Sequence, residues 1–218
     1  MIIIITGNQG SGKTLFGVRW CYNNYLKGDN IYSNLKLNFP HKMMKFNELM
    51  QCKYNNATIL IDEAHLWGLD SRRSFSKINT QLTAKFVVQT RKRGVTLIVV
   101  TQKLRQIETR VRSNADYHVE VRKKVLINGK FETVSQSSEY ESDVPVVIEA
   151  KILDIQAETF GSKKILANDY YGLYDTVEVI EMIDEYGSDD VVRVNAKQKK
   201  KKINKKKIKD TSKTQRKQ

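Results

Sequence analysis

The chain opens MIIIITGNQGSGKT, residues 1–14, an unbroken apolar run that gives way at once to a loop of three glycines, a lysine and a threonine. Four successive isoleucines read as a strand buried on both faces, the pattern of a parallel sheet. Residues 7–14 fit G-x-x-x-x-G-K-[ST] at every fixed position, and the residues after Lys13 read as a helix, so the motif has the strand-to-helix setting it requires. Phosphate oxygens need several donors converging on a small sphere. Gly7, Gly10 and Gly12 permit the dihedrals that turn successive backbone N–H groups inward, and Asn8, Gln9 and Ser11 complete the loop. The helix N-terminus adds its partial positive charge, Lys13 reaches the β and γ phosphates, and the Thr14 hydroxyl is placed to ligate Mg²⁺. The loop therefore predicts ATP, with Mg²⁺, as the ligand.

Working outward, the first helix spans about 13–26 and stops before Gly28-Asp29, and residues 30–33 read as a second strand. Residues 58–61 form another buried strand, closed by Asp62-Glu63. Ile78, Leu82, Phe86 and Gln89 recur at helical spacing, which predicts a helix whose last turn holds Arg91, Lys92 and Arg93 and whose C-cap is Gly94. Residues 95–100 are a β-branched strand ending at Thr101-Gln102. Such alternation of strand and helix implies a parallel sheet with right-handed crossovers. Beyond residue 115 the pattern changes: YHVEVRKKVLI and KFETVSQ flank Asn128-Gly129, a favoured two-residue hairpin turn, so an antiparallel hairpin is expected at or beyond the sheet edge. VPVVIEAKILDI and YYGLYDTVEVIEMI, within 135–192, are apolar clusters whose packing the pattern does not assign.

A nucleotide triphosphate also needs a carboxylate for its metal and a group that activates water. TILIDEAH supplies both at a strand end: Asp62 for the metal, Glu63 as general base or water-orienting group. Gln102 ends the neighbouring buried strand and should face the same crevice, where its amide senses the γ phosphate or positions water; a simple strand cap is the alternative. Arg91 and Arg93 either satisfy a helix dipole or reach a neighbouring subunit's ATP as an arginine finger. Arg72, Arg73, Arg110 and Arg112 are weaker candidates for that role or for DNA phosphates. His65 reads as a structural hydrogen-bonder, and Trp67 as a loop anchor or a stacking side chain.

The 218 residues carry a formal charge of +14, but residues 193–218 hold 13 Lys or Arg and one acid, a charge of +12, which leaves +2 for the first 192. The chain thus divides into one domain, residues 1–192, and a disordered Lys-rich tail, residues 193–218, that repels itself and suits a polyanion. Cys21 and Cys52 stand in unrelated contexts, suggesting neither a disulfide framework nor a zinc site, as in a reducing interior. With no apolar run long enough to span a bilayer, the expected place is the cytosol.

GNQGSGKT, ILIDEAHLWGLDSRRSFSK, FVVQTRKRGVTLIVVTQ, RSNADYHVEV and LYDT, in this order and spacing, resemble the FtsK–HerA superfamily of P-loop ATPases. Within it they are most similar to zonular occludens toxin-like proteins of filamentous phages and to viral genome-packaging ATPases, over residues 1–122 and more loosely 170–176. The resemblance implies a RecA-like core that assembles into a homo-oligomeric ring, commonly a hexamer, hydrolyses ATP between subunits and pulls double-stranded DNA by its backbone. It assigns the phosphate loop to residues 7–14, the metal acid to Asp62, the catalytic acid to Glu63 and the strand-end glutamine to Gln102. The toxin-like proteins carry a membrane-spanning helix after the ATPase domain, and this sequence has none, which ranks genome packaging first and phage export or plasmid transfer second. A capsid or membrane-vertex protein is an expected partner. A small-molecule kinase and a non-catalytic nucleic-acid-binding switch are the readings from other classes.

Overall fold

In the computed structural model, the residues described are 1–44, 48, 49, 54–71, 87, 90–134, 144–154 and 158–175. All lie in one compact unit, residues 1–182. The basic run at 193–218, Cys52, Arg72 and Arg73 fall outside the described residues, as does most of the helix expected over 78–89.

One mixed sheet of nine strands organises the unit. Its parallel part runs, in spatial order, β3 (Lys42–Met43), β2 (Asn30–Ser33), β4 (Ala57–Ile61), β5 (Val95–Val100), β1 (Ile2–Thr6) and β6 (Tyr117–Ile127). Every residue of β1 and of β4 is buried, as their unbroken apolar runs require of strands covered on both faces. Helix α1 (Lys13–Tyr25) follows β1 and buries Leu15, Phe16, Val18 and Cys21 against a core that includes Ile3, Ile5, Leu60 and Val100. Helix α2 (Thr109–Ser113) is a single short turn capped by Glu108, whose carboxylate accepts hydrogen bonds from the backbone N–H groups of Arg110 and Val111.

The chain between β4 and β5 departs from the sequence reading in one place. Arg91–Arg93 form a 3₁₀ turn rather than the last turn of an α-helix. The backbone N–H of Asn56 donates to the Arg93 carbonyl at 2.9 Å, so this turn is tied to the loop entering β4.

The hairpin is present, with β6 joined to β7 (Lys130–Thr133) through Asn128-Gly129, yet its first strand lies inside the sheet. β6 pairs with β1 only from Tyr117 to Glu120; residues 121–127 continue past the end of β1 for about 23 Å at 3.3 Å per residue. Along that overhang β6 pairs with β7 and, on its other side, with β8 (Val146–Leu153), which in turn pairs with β9 (Thr159–Leu166). Of the two clusters left unassigned in the sequence, VPVVIEAKILDI thus extends the sheet beside the phosphate loop as β8, while YYGLYDTVEVIEMI begins in the 3₁₀ segment described next and lies outside the described residues from 176 on. After β9, a 3₁₀ segment, Ala167–Leu173, crosses α1 and ties to the loop after β2: Asn38 N donates to Leu173 O and Asn38 Nδ2 to Gly172 O, both at 2.8 Å.

Candidate active site

The parallel order places β5 between β1 and β4, so the loop after β1, the acids after β4 and Gln102 after β5 stand side by side at the carboxyl ends of adjacent strands. The loop is built as its sequence demands. Gly12 has φ +86°, and a Cβ there would run into Ile148 of β8; a Cβ on Gly7 would lie 2.5 Å from both Val121 O and Ser11 Oγ. Only glycine fits a loop pressed this closely against the overhanging strands. Gly7 N donates to Gln102 O at 3.4 Å, which joins the start of the loop to the end of β5.

Three side chains predicted from sequence converge. Thr14 Oγ1 donates to both carboxylate oxygens of Asp62, at 3.1 and 3.2 Å. Lys13 is buried and its Nζ donates to the Asn8 carbonyl at 3.1 Å. Burial pulls its ammonium below the ordinary pKa, opposed by the charges of Glu63 and then Asp62, which puts both carboxylates within its field. Asp62 is 5% exposed, and burial, followed by the charge of Glu63, pushes its carboxyl up to about 7 against the Thr14 hydrogen bond and the Lys13 charge. A carboxylate so short of positive charge is the environment that a divalent cation relieves.

The fit to a magnesium nucleotide rests on these groups together. Ser11 Oγ is buried with no hydrogen-bond partner, inside a loop whose lysine donates only to the loop's own carbonyl. Donors without acceptors on one side and a buried carboxylate with a hydroxyl beside it on the other match a phosphate chain and its metal, so the residues fit both.

Glu63 takes φ +43°, a left-handed backbone that costs an ordinary residue about 1–2 kcal/mol. His65 Nδ1 lies 3.4 Å from Thr101 Oγ1, in line with its reading as a structural hydrogen-bonder, and 3.4 Å from Glu63 Oε2, which is buried with no hydrogen-bond partner among the described residues. Trp67 is buried in the turn after Glu63, a loop anchor rather than a stacking surface. Arg91 and Arg93 precede β5 and therefore sit at the amino ends of the parallel strands, the opposite edge from their own subunit's phosphate loop. They are not brought to Lys13 or Asp62. Arg105, in the turn just after Gln102, is an exposed cation at the carboxyl edge that the sequence reading did not single out.

Two further residues escaped the sequence reading. Asn34 clamps the backbone of the metal acid, accepting from Asp62 N at 2.8 Å and donating to Asp62 O at 2.9 Å. Tyr174 bridges to Leu37 at the end of the 3₁₀ segment, and burial, then the charge of Asp62, push its phenol up to about 12. Only the position of Asn34 directly after a buried strand could have drawn attention to it, and it acts across the sheet on β4.

With the phosphate loop, the acid strand and the strand between them in this order, comparison with known proteins is decisive. Residues 30–177 match the family Zonular occludens toxin (Zot). The chain belongs to the Zot family. Its fold is similar to that of the N-terminal domain of zonular occludens toxin from Neisseria meningitidis, with a TM-score of 0.55 and 20% identity over 80% of this chain and 98% of that one. The genome packaging NTPase B204 of Sulfolobus turreted icosahedral virus 2, solved with ATP-gammaS, matches 75% of this chain and 95% of its own at a TM-score of 0.46 and 13% identity. The ATPase domain of G40P matches 81% of this chain and 84% of its own at a TM-score of 0.47 and 12% identity. No curated protein matches by sequence. Zot membership and the fold together are consistent with a P-loop ATPase of the FtsK–HerA type. Among its described residues no helix is long and apolar enough to cross a membrane.

Proposed function

We propose that this chain hydrolyses ATP and uses the cycle to move DNA. The contact of Thr14 with both oxygens of Asp62 carries the reading, because it joins the phosphate loop to the acid strand as one nucleotide site. Backbone N–H groups of residues 7–14 and the Lys13 ammonium hold the phosphates, while Thr14 and Asp62 would hold Mg²⁺, which when bound would neutralise charge on the phosphate oxygens. Glu63, on its strained turn and with a buried carboxylate oxygen that no protein donor occupies, accepts the proton of the attacking water; Gln102 orients that water from the end of β5. Glu63→Gln should retain ATP binding and lose turnover by about 10²–10⁴-fold; ATP hydrolysis surviving at the parental rate removes Glu63 from this role.

Hydrolysis between subunits of a homo-oligomeric ring, a hexamer on the family resemblance, asks for an arginine in trans. Arg91 or Arg93 at the amino edge meets that need only if that edge faces a neighbour's nucleotide; Arg105 meets it from the carboxyl edge. The substrate is duplex DNA held by its phosphates without sequence preference, as a motor on any sequence requires. Two settings follow, packaging of a viral genome in the host cytoplasm with a capsid or membrane-vertex partner, and filamentous phage assembly or export. The Zot match over residues 30–177 favours the second. Recovery of a membrane-bound partner from cells supports assembly, and recovery of a capsid protein supports packaging.

A further inference from the structure

Arg19, Trp20 and Asn23 of α1 and Lys27 in the turn just beyond it line, with Phe16, Ile152 of β8 and Lys163 of β9, a cavity of about 240 Å³. No carboxylate lines it. Among the described residues, none of Arg19, Lys27 and Lys163 enters an ion pair or a side-chain hydrogen bond, in contrast to Lys124 and Lys164, which share Glu149 on β8. The Arg19 guanidinium lies over the Tyr170 ring, 5.1 Å from its centroid, and its Nε is buried with no hydrogen-bond partner. Trp20 is fixed edge-on to Phe16, with centroids 6.1 Å apart and planes at 75°. The neighbouring Asn24 is committed to Thr58, and Asn23 keeps its amide for a ligand.

Three uncompensated positive charges around a cavity that also offers an indole call for an anion with an attached planar group. We propose that this groove binds the phosphodiester backbone of nucleic acid, with Arg19, Lys27 and Lys163 on phosphate oxygens and Trp20 against a base. Cationic grooves with an aromatic platform hold nucleic acid in this way, and stacking adds affinity only where the base is unpaired. The inference rests on the DNA-motor reading and adds to its duplex substrate a second site, for an unpaired stretch of strand, on the helix that starts at Lys13.

The test is photocrosslinking of the full-length chain to single-stranded and duplex oligonucleotides carrying 5-iodouracil, with adducts mapped to peptides. The expected adduct is on Trp20, stronger with the single strand, and is lost in a Lys27→Glu, Lys163→Glu variant whose salt slope of binding falls by about 2. Adducts confined to other segments, the basic run at 193–218 included, overturn the groove while leaving DNA binding intact. A Trp20 adduct indifferent to charge reversal in a variant with an unchanged melting temperature also overturns it. A parental chain that hydrolyses ATP but binds neither oligonucleotide overturns the groove and the DNA-motor reading together, and displacement by polyglutamate but not by DNA assigns the cavity to an acidic protein.

Discussion

Thr14 Oγ1 stands 3.1 and 3.2 Å from the two carboxylate oxygens of Asp62, although 48 residues separate them in the chain. That pair exists because β5 spaces β1 and β4 so that the first residues of α1 face the end of β4. Thr14→Ala should therefore weaken Mg²⁺-dependent nucleotide binding by about 10- to 100-fold, the range seen when metal-site partners are removed. Titration of a fluorescent ATP analogue with and without Mg²⁺ checks it, and an equal loss in both conditions would contradict a metal role for Thr14.

Asn34 makes a prediction about stability. Removing its amide leaves Asp62 N and Asp62 O, both buried, without their partners. Asn34→Ala should cost about 2 kcal/mol and lower the melting temperature by about 4–8 °C. Thermal unfolding followed by circular dichroism measures it; a change of less than a degree would mean that the clamp carries no weight.

Gly12 combines a left-handed φ with a close approach to Ile148. Gly12→Ala should reduce nucleotide affinity by about 5- to 30-fold from backbone strain of about 1–2 kcal/mol alone. Adding Ile148→Ala should relieve the collision and leave that strain. Full recovery of affinity in the double variant would show that crowding, not backbone conformation, demands glycine there.

His118 gives the pH prediction. Its Nε2 is 2.7 Å from Thr6 Oγ1, the last residue before the phosphate loop, and burial pulls its pKa below 6.5, opposed by Glu120. The unfolded chain then binds the proton more readily, so this group's contribution to stability is present above pH 6.5 and is lost as pH falls through the folded pKa. Asp62 works in the opposite sense, its contribution fading as pH rises toward about 7. The difference between parent and His118→Gln isolates the histidine: the variant should lose less melting temperature between pH 7.5 and pH 5, values chosen as roughly one unit either side of the model imidazole. Parallel loss in both proteins would exclude His118 as the cause.

The parallel half of the fold was legible because strands buried on both faces write themselves as continuous apolar runs, IIII, TILI and VTLIVV, each ending in a polar residue at the site. Thr14, Asp62 and Lys13 follow from the same logic, since their roles are fixed by position relative to a strand end. The antiparallel half was not legible beyond its Asn128-Gly129 turn. β8 alternates buried and half-buried residues and β9 is mostly exposed, so neither reveals that its partner is the far end of β6. Asn34 was missed for a related reason: it acts on Asp62 from an element distant in sequence, and no local spacing records such a contact. Arg91 and Arg93 were read as the last turn of an α-helix and form a 3₁₀ turn instead, and which edge of the sheet that turn occupies is decided by strand direction.

The central claim is that one site both hydrolyses ATP and drives movement on DNA. Steady-state ATP hydrolysis by the full-length chain, with and without double-stranded DNA and alongside Glu63→Gln, tests it most directly. The account predicts hydrolysis that rises on adding DNA and a variant that stays inactive in both conditions. A parental rate indifferent to DNA, together with phosphoryl transfer to a nucleoside phosphate, would contradict it and make the protein a kinase.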